Sequence, residues 1–274
     1  MLIQQIINSL GLITLEVFVL REVYNSAEEY VEKNENPYAD TAWEYPAIIT
    51  FLYLFVVVFL GQKFFEKRQP LNVEGYMLVY NAYQTIFNIW AVVGFLSEIY
   101  RRSLPFAGTA YKPSREEAKL GFLIYAHYQN KFIELLDTVF MVVRKKTTQV
   151  TFLHVWHHSI MSWSWLVVLW YNPGGDAYFG SFMNSLIHVV MYSYYLLTAL
   201  KLPCPWKKFV TRLQLGQFVL IFTQGWYAIY LGSTPVWLTL IQQFVMVNML
   251  VLFGNFYLKN YAAQQKKKAE EHQE

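Results

Sequence analysis

The sequence is poor in cysteine, in charged residues and in the usual signals of secreted proteins. Its single cysteine, Cys204, excludes an intramolecular disulfide and any fold that depends on one. It contains no Asn-x-Ser/Thr sequon, and its first residues show neither the basic start nor the small-residue cleavage site of a signal peptide. Only 15% of the 274 residues are charged, whereas 55% are hydrophobic and 19% are aromatic. This balance excludes most soluble domains of this size and predicts a membrane protein.

Long apolar runs without period-two alternation predict membrane-spanning helices rather than strands. We predict an all-α, polytopic membrane protein in which about seven transmembrane helices form one domain over residues 46–258. The predicted spans are 46–62, 73–97, 120–143, 150–171, 178–200, 210–231 and 235–258.

The two ends of the chain differ from these spans. Residues 1–45 are apolar, but four polar residues interrupt them, which predicts an N-terminal segment at the lumenal membrane surface. The interrupting residues are Gln4, Gln5, Asn8 and Glu16. An eighth span is the alternative, and it would change the side on which the N-terminus lies. The tail, 259–274, is short and charged and is predicted to be disordered.

Lysine and arginine are unevenly distributed between the two sides of the predicted spans. Fourteen lie in the loops 63–68, 144–146 and 201–212 and in the C-terminal tail, against seven on the opposite side. Positive charge is enriched on the cytosolic side of membrane proteins, so the C-terminus is predicted to be cytosolic. The loop 101–119 is basic on the other side and weakens this asymmetry.

Polar residues occur at helical spacing inside four of the spans. Ionisable groups in lipid are costly, and they usually face the bundle interior and mark a site or a pathway. Lys131 and Glu134 share one helical face and can pair. The candidates are His127, Lys131, Glu134, Asp137, Thr138, His154, His157, His158, Asn184, His188, Tyr192, Tyr195, Gln214 and Gln217. The predicted topology brings them towards one buried pocket that faces the cytosol.

Several of these residues also have a structural interpretation. Gln214, Gln217 and Tyr192 can join helices to one another, and Lys131 with Glu134 can be a structural ion pair. Three histidines within the five residues 154–158 are harder to explain by packing.

Two kinds of chemistry fit clustered imidazoles. H-x-x-H-H spacing occurs in the iron-binding boxes of membrane desaturases and hydroxylases. Five intramembrane imidazoles with Glu134 or Asp137 can hold one metal, but they are too few for a di-iron site of that type. A neutral imidazole is also a nucleophile and a base, and a carboxylate that holds one ring nitrogen raises the reactivity of the other. Cys204 lies away from the constellation, so acyl condensation here would use histidine. A seven-helix receptor or transporter would explain the topology but not the histidine cluster.

Four motifs follow one another across most of the chain. They are KFIELLDT at 131–138, HVWHH at 154–158, NSLIHVVMYSYY at 184–195 and TRLQLGQF at 211–218. In this combination the sequence resembles the fatty-acid elongases of the ELO family, the very-long-chain 3-ketoacyl-CoA synthases. The resemblance is weak in residues 1–45, in the loop 101–119 and in the tail. Many members end in a dilysine retrieval signal, whereas the lysines at 266–268 are followed here by AEEHQE.

The resemblance implies a reaction, a fold and a location. An acyl-CoA and malonyl-CoA would give a 3-ketoacyl-CoA two carbons longer, with loss of carbon dioxide and CoA and without a cofactor or a metal. Six of seven helices would surround a closed-ended acyl tunnel in the endoplasmic reticulum membrane. Expected partners are membrane lipid and the reductases and dehydratase of the elongation cycle, with no nucleic acid. A homodimer is left open. The motif FLHVWHH, with Asn184 before His188, favours polyunsaturated or very long acyl chains.

The resemblance also gives the residues hypothetical roles. His157 would attack the thioester and carry the acyl group, or act as general base in a single complex. The other imidazoles would serve as base, orienting group, oxyanion donor or acid: His154, His158 and His188. Asp137 and Glu134 would fix imidazole tautomers, with Lys131 as counter-charge. Substrate contacts are expected from Asn184, Tyr192, Tyr195, Gln214 and Gln217. A basic rim for the phosphates of CoA is expected from Lys145, Lys146, Lys207, Lys208 and Arg212.

Overall fold

The structure is a computed structural model of the chain, and it describes residues 2–32 and 35–271. Within these ranges the regular structure is helical throughout. The α-helices are α1 Leu2–Glu32, α2 Glu44–Phe51, α3 Gln62–Glu66, α4 Glu74–Arg102, α5 Arg115–Ile133, α6 Leu136–Val143, α7 Phe152–Tyr171, α8 Ala177–Ala199, α9 Val210–Leu231 and α10 Val236–Glu271. A π-helix, Leu52–Gly61, joins α2 to α3, and two 3₁₀ turns lie at Thr147–Gln149 and Lys207–Phe209.

The described helices form eight rods, where the sequence predicted about seven. The rods are α1, the continuous helix from α2 through α3, α4, α5 with α6, and then α7, α8, α9 and α10. Three stretches are long and apolar enough to cross a bilayer by composition: Leu2–Asn25, Glu44–Glu66 and Val236–Lys259. The rods from α4 to α9 contain most of the polar residues that the bundle buries. The all-α membrane class is therefore confirmed, but the number of rods is one higher.

Helix α1 packs along α4. The contacts pair Gln5 with Asn72 and Gly75, Asn8 with Tyr76, Glu16 with Tyr83, and Leu20 with Phe87. The residue numbers of both helices rise together along this interface, so α1 and α4 run in the same direction. The polar residues on which the prediction of an interfacial segment rested hydrogen-bond to neighbouring groups, and the position of α1 relative to the membrane stays a prediction.

Because consecutive rods alternate in direction, their connections lie on two opposite faces. One face, called the basic face, contains the loops 63–68, 144–146 and 201–212. Contacts hold this face together: Leu71 N donates to Val143 O at 2.9 Å. Helix α1 begins at this face, and α10 ends there.

The basic loop between α4 and α5 lies on the opposite face, where its cations are paired locally. Arg101 Nη2 lies 2.6 Å from Glu98 Oε2, and Lys119 Nζ lies 3.1 Å from Glu98 Oε1. Arg102 pairs with Glu117. Both carboxylates are buried, so each of these three cations has a carboxylate partner, and two of them share Glu98. The larger number of lysines and arginines lies on the basic face.

A break between α5 and α6 interrupts the span predicted at 120–143. Leu135 N donates to Phe132 O at 3.2 Å, and Asp137 N donates to Glu134 O at 3.1 Å. These i→i−3 bonds are those of a 3₁₀ turn, which is wound more tightly than an α-helix. Side chains after the turn therefore point in directions that a continuous helix would not give.

Helix α10 continues to Glu271, although the sequence predicted a disordered tail from residue 259. The residues of this extension are mainly Ala, Gln, Lys and Glu, which are strong helix formers, and they include no Gly or Pro. Residues 272–274, with His272, lie outside the described residues.

Candidate active site

The break between α5 and α6 places a buried ion pair inside the bundle. Lys131 Nζ donates to Glu134 Oε1 at 2.6 Å and to Asn184 Oδ1 on α8 at 2.8 Å. His188, one turn along α8, has its Nδ1 3.1 Å from the same Glu134 oxygen, without the alignment of a hydrogen bond. The Lys131 and Glu134 side chains are 2% and 1% exposed. Each charge therefore offsets much of the cost of burying the other.

Helix α4 adds buried amides that sequence reasoning missed. Asn130 Nδ2 donates to Glu134 Oε1 at 3.2 Å and to Gln84 Oε1 at 3.0 Å. Asn88 Nδ2 donates to Gln84 O at 2.7 Å. All of these side chains are buried. The signal was present in the sequence, because Asn81, Gln84 and Asn88 follow one another at three- and four-residue steps inside the second predicted span.

Three histidines cluster near the basic-face end of α7, with neutral partners. His154 Nε2 lies 2.7 Å from Thr138 Oγ1, and His157 Nδ1 lies 3.2 Å from Met249 Sδ. The His158 ring centroid is 4.5 Å from that of His154 and 5.4 Å from that of His157. Among the described residues, no group of three or more His, Cys, Asp or Glu side chains is arranged to hold a metal ion.

Asp137 contacts tyrosines instead of an imidazole. Its Oδ2 accepts a hydrogen bond from Tyr192 OH at 2.8 Å, and the Tyr192 oxygen lies 3.2 Å from Tyr80 OH. Tyr192 is fully buried. We expected Asp137 and Glu134 to fix imidazole tautomers, and of the two only Glu134 lies beside an imidazole, that of His188.

One cavity begins at the histidine cluster and runs towards the opposite face between α7, α8, α9 and α10. The space inside it is about 880 Å³, part of which is open to the surroundings. His157, Asn184 and Gln217 line one end. The resemblance implied six helices around a tunnel, whereas the lining residues come from four helices and the turns between them.

The middle of the cavity is lined by apolar side chains, whereas its two ends include polar residues. Large apolar side chains on the wall include Met161, Trp165, Phe218, Ile221, Val245 and Met246. At the far end the lining includes Asn172, Asp176 and Thr234. His157 and Asn172 are fifteen residues apart, about 22 Å along a helix axis. The cavity therefore suits a long apolar ligand with a polar head beside His157.

The cavity wall does not include three residues that were predicted to contact the substrate: Tyr192, Tyr195 and Gln214. Gln214 Nε2 approaches Met191 Sδ at 3.6 Å. Tyr195 is 38% exposed and packs edge-on against Tyr192, with ring centroids 5.8 Å apart. Of the predicted amides, only Asn184 and Gln217 reach the cavity.

The predicted rim cations are exposed on the basic face. They are Lys145, Lys146, Lys207, Lys208 and Arg212. Lys145 Nζ donates to Glu66 O at 3.0 Å, and Arg212 Nε donates to Tyr257 OH at 3.0 Å. They do not line the cavity as the described residues define it. They form a charged surface on the face nearest to His157.

Comparisons with known proteins cover most of the chain. Residues 38–269 match the family model described as ELO: GNS1/SUR4 family, which leaves α1 outside the match. The very long chain fatty acid elongase 5 of Xenopus tropicalis is 35% identical over 82% of this chain and 78% of its own length. The elongase 5 of Homo sapiens is 32% identical over 83% of this chain and 79% of its own length. The very long chain fatty acid elongase 7 of Rattus norvegicus is 34% identical over 80% and 81%.

Proposed function

The chain belongs to the ELO family of fatty-acid elongases, as its four motifs indicated, and on that premise we propose that it catalyses the condensing step of elongation. In this reaction a long-chain acyl-CoA and malonyl-CoA give a 3-ketoacyl-CoA two carbons longer, carbon dioxide and free CoA. One observation carries the proposal: an apolar cavity is lined at one end by His157 and by the amides Asn184 and Gln217. The protein is a multi-pass membrane protein, as its apolar helices and its relatives indicate.

His157 is our candidate for the residue that carries the acyl group, because it alone of the four predicted catalytic histidines lines the cavity. Its Nδ1 faces the sulfur of Met249 at 3.2 Å, and a thioether is a weak acceptor. A proton on Nδ1 leaves the lone pair on Nε2 for the substrate. In the first step Nε2 attacks the thioester carbonyl, the carbon–sulfur bond breaks and CoA leaves as thiolate. In the second step malonyl-CoA loses carbon dioxide, its enolate carbon attacks the acyl group, and the electron pair of the breaking carbon–nitrogen bond returns to the imidazole.

The amides beside His157 are the proposed donors to the developing oxyanion. Because Lys131 occupies Asn184 Oδ1, the Asn184 NH₂ group is left to donate. Gln217 lines the same end of the cavity, and its NH₂ group is the second proposed donor. Donors fixed in advance where charge develops lower the barrier most. The ion pair of Lys131 with Glu134 thus orients a donor and does not itself contact the cavity.

The covalent step is tested by mixing the purified protein with acyl-CoA alone. We expect release of up to one equivalent of CoA and an increase in intact mass equal to the acyl group, both before malonyl-CoA is added. His157→Gln should show neither. Phe152→Leu, an exposed position on the same helix, is the matched control and should behave as wild type. Normal elongation without prior CoA release would favour His157 as a general base in a single complex and contradict the covalent path.

The chain length and the unsaturation of the substrate form a finer part of the proposal. We propose very long or polyunsaturated acyl chains, in line with the FLHVWHH motif and with relatives named very long chain fatty acid elongases. A panel of acyl-CoAs with labelled malonyl-CoA, read by product mass, tests this. Equal rates for saturated C16 and for longer or unsaturated chains would contradict it.

We also propose a cellular setting that the reaction requires. The enzyme would lie in the endoplasmic reticulum membrane with its basic face and C-terminus in the cytosol, where CoA thioesters are available. Its 3-keto product must be reduced, dehydrated and reduced again before another round, so reductases and a dehydratase are the proposed partners. Membrane lipid surrounds it, no cofactor is proposed, and a homodimer is the assembly to test by its mass in detergent.

A further inference from the structure

The cavity ends beside Asp176, an acidic residue that the proposed reaction does not use. Asp176 immediately precedes α8, is 3% exposed and lines the cavity at the end opposite His157. A buried carboxylate is costly unless it is paired or hydrogen-bonded. Its partners come largely from residues 103–114 between α4 and α5, here called the cap loop.

The Asp176 carboxylate accepts hydrogen bonds from two other segments. Oδ1 accepts from Thr109 N at 2.9 Å, and Oδ2 accepts from Gly108 N at 3.0 Å and from the Ser233 hydroxyl. The backbone of Asp176 takes part as well: its N–H donates to Thr109 O at 2.9 Å, and its carbonyl accepts from Gln224 Nε2 at 3.2 Å. One residue therefore connects the cap loop, the start of α8, α9 and the turn between α9 and α10.

The cap loop packs tightly against the residue that precedes Asp176. A Cβ at Gly175 would lie 2.5 Å from Thr109 O and 2.7 Å from Tyr111 N. Gly175 also has a φ of +49°, a left-handed conformation that favours glycine. A second bond holds the loop to α8, from Tyr178 OH to Pro105 O at 2.7 Å. The cap loop is thus a closely fitted cover over this end of the bundle.

We propose that Asp176 fixes the longest acyl chain that the enzyme accepts, by holding the cap loop over the end of the cavity. This inference rests on the proposed function. The methyl end of an acyl chain that reaches Asp176 lies against a carboxylate whose oxygens are already hydrogen-bonded. This contact provides no new interaction to offset the cost of placing a methyl group beside a charge. Behind the carboxylate, the cap loop blocks a further path. Asp176 is therefore a positioning residue that determines specificity.

The test is Asp176→Asn, assayed with a series of acyl-CoAs. The substitution preserves side-chain size but replaces one acceptor oxygen by an NH₂ group, which then faces a backbone N–H of Gly108 or Thr109. With the loop less firmly held, we expect products at least two carbons longer than the longest wild-type product. The kcat/KM ratio of that longer substrate to a short one should rise roughly tenfold, the scale of discrimination by one methylene. Loss of folded enzyme alone would leave this ratio unchanged.

Two further variants decide between the cap loop and general loosening of this face. Glu117→Gln is the matched control, because Glu117 also binds this face, through Arg102 and Gly175 N, but does not line the cavity; we expect the wild-type longest product. Ser233→Ala removes one donor and should shift the products in the same direction by less. An unchanged longest product in active Asp176→Asn, or an equal shift in Glu117→Gln, would overturn the inference. If Asp176→Asn does not fold, Ser233→Ala decides by the same criterion. A wild type that extends no acyl-CoA would contradict the proposed function instead.

Discussion

At the scale of single residues, the site depends on a charge pair buried in the bundle. Lys131 and Glu134 lie 2.6 Å apart, and Asn184 and Asn130 complete their polar contacts. Removing one member of such a pair leaves an uncompensated buried charge, whereas removing both together is often nearly neutral. The pair therefore contributes to stability only as a unit.

Lys131→Met should destabilise the protein more than the double substitution Lys131→Met with Glu134→Leu. We expect the single change to cost about 3–5 kcal/mol, because Glu134 loses its counter-ion, and the double change to cost clearly less. Denaturant unfolding in detergent measures both. Lys67→Met, on the exposed basic face, is the control and should change little. Equal losses for the single and double variants would contradict this account.

Contacts within one helical segment could be predicted from the sequence, whereas contacts between helices could not. Lys131 and Glu134 are three residues apart, so their pairing followed from helical spacing alone. Asp137 is also three residues from Glu134, but the 3₁₀ turn between α5 and α6 lies in that interval, and Asp137 reaches Tyr192 on α8. Gln217 lines the cavity while Gln214 contacts Met191, a difference that depends on how α9 is rotated.

At the scale of helices, the polar residues that interrupt the apolar run of α1 make hydrogen bonds. Each of the four that interrupt it has a partner: Gln4 Nε2 donates to Asn8 Oδ1 at 3.0 Å, Asn8 Nδ2 approaches Tyr76 OH at 3.4 Å, and Gln5 and Glu16 bond to the α4 segment. Polar residues of this kind join helices inside membranes. The sequence of α1 alone could not show the partners in the α4 segment, because they lie more than sixty residues away.

The parallel packing of α1 on α4 predicts that both ends of the chain lie on the same side of the membrane. The sequence contains no glycosylation sequon, so any N-glycosylation that is detected must be on an added acceptor tag. We expect N-terminal and C-terminal tags to remain unmodified in microsomes, and a sequon placed in an extended cap loop to be glycosylated. Glycosylation of the N-terminal tag alone would show that α1 does not cross.

At the scale of the whole molecule, the charges distinguish the two faces. On the opposite face, Arg101, Arg102 and Lys119 pair with Glu98 and Glu117. Those of the basic face, such as Lys207 and Lys208, are exposed at the end of the bundle nearest to His157. A ligand with several phosphates is drawn to such a surface by its field. The sequence could predict this asymmetry from counts alone, but it could not show that four helices line the cavity, since that depends on which faces meet.

Charge reversal at Lys207 and Lys208 should weaken the binding of CoA substrates without changing the chemical step. We expect KM for acyl-CoA to rise severalfold with kcat little changed, and added salt to reduce kcat/KM less than in wild type. Steady-state kinetics at two ionic strengths measure both effects. Lys112→Glu, exposed on the opposite face, is the control. An equal rise in KM for that variant would implicate net charge instead of the basic face.

The positions of the most apolar helices also bear on how the protein is made. Of the described helices, three stretches can cross a bilayer by composition. Leu2–Asn25 and Glu44–Glu66 emerge from the ribosome before the more polar rods, and Val236–Lys259 emerges after them. The rods between them contain amide and charged side chains whose hydrogen-bond partners lie on neighbouring rods. An apolar helix can enter the lipid from the translocon by itself. A helix with polar residues enters the lipid at a lower free-energy cost once the helices that carry its partners have been synthesised. The polar residues of the candidate site thus favour insertion of their rods together, with α10 the last of the described helices to join the bundle.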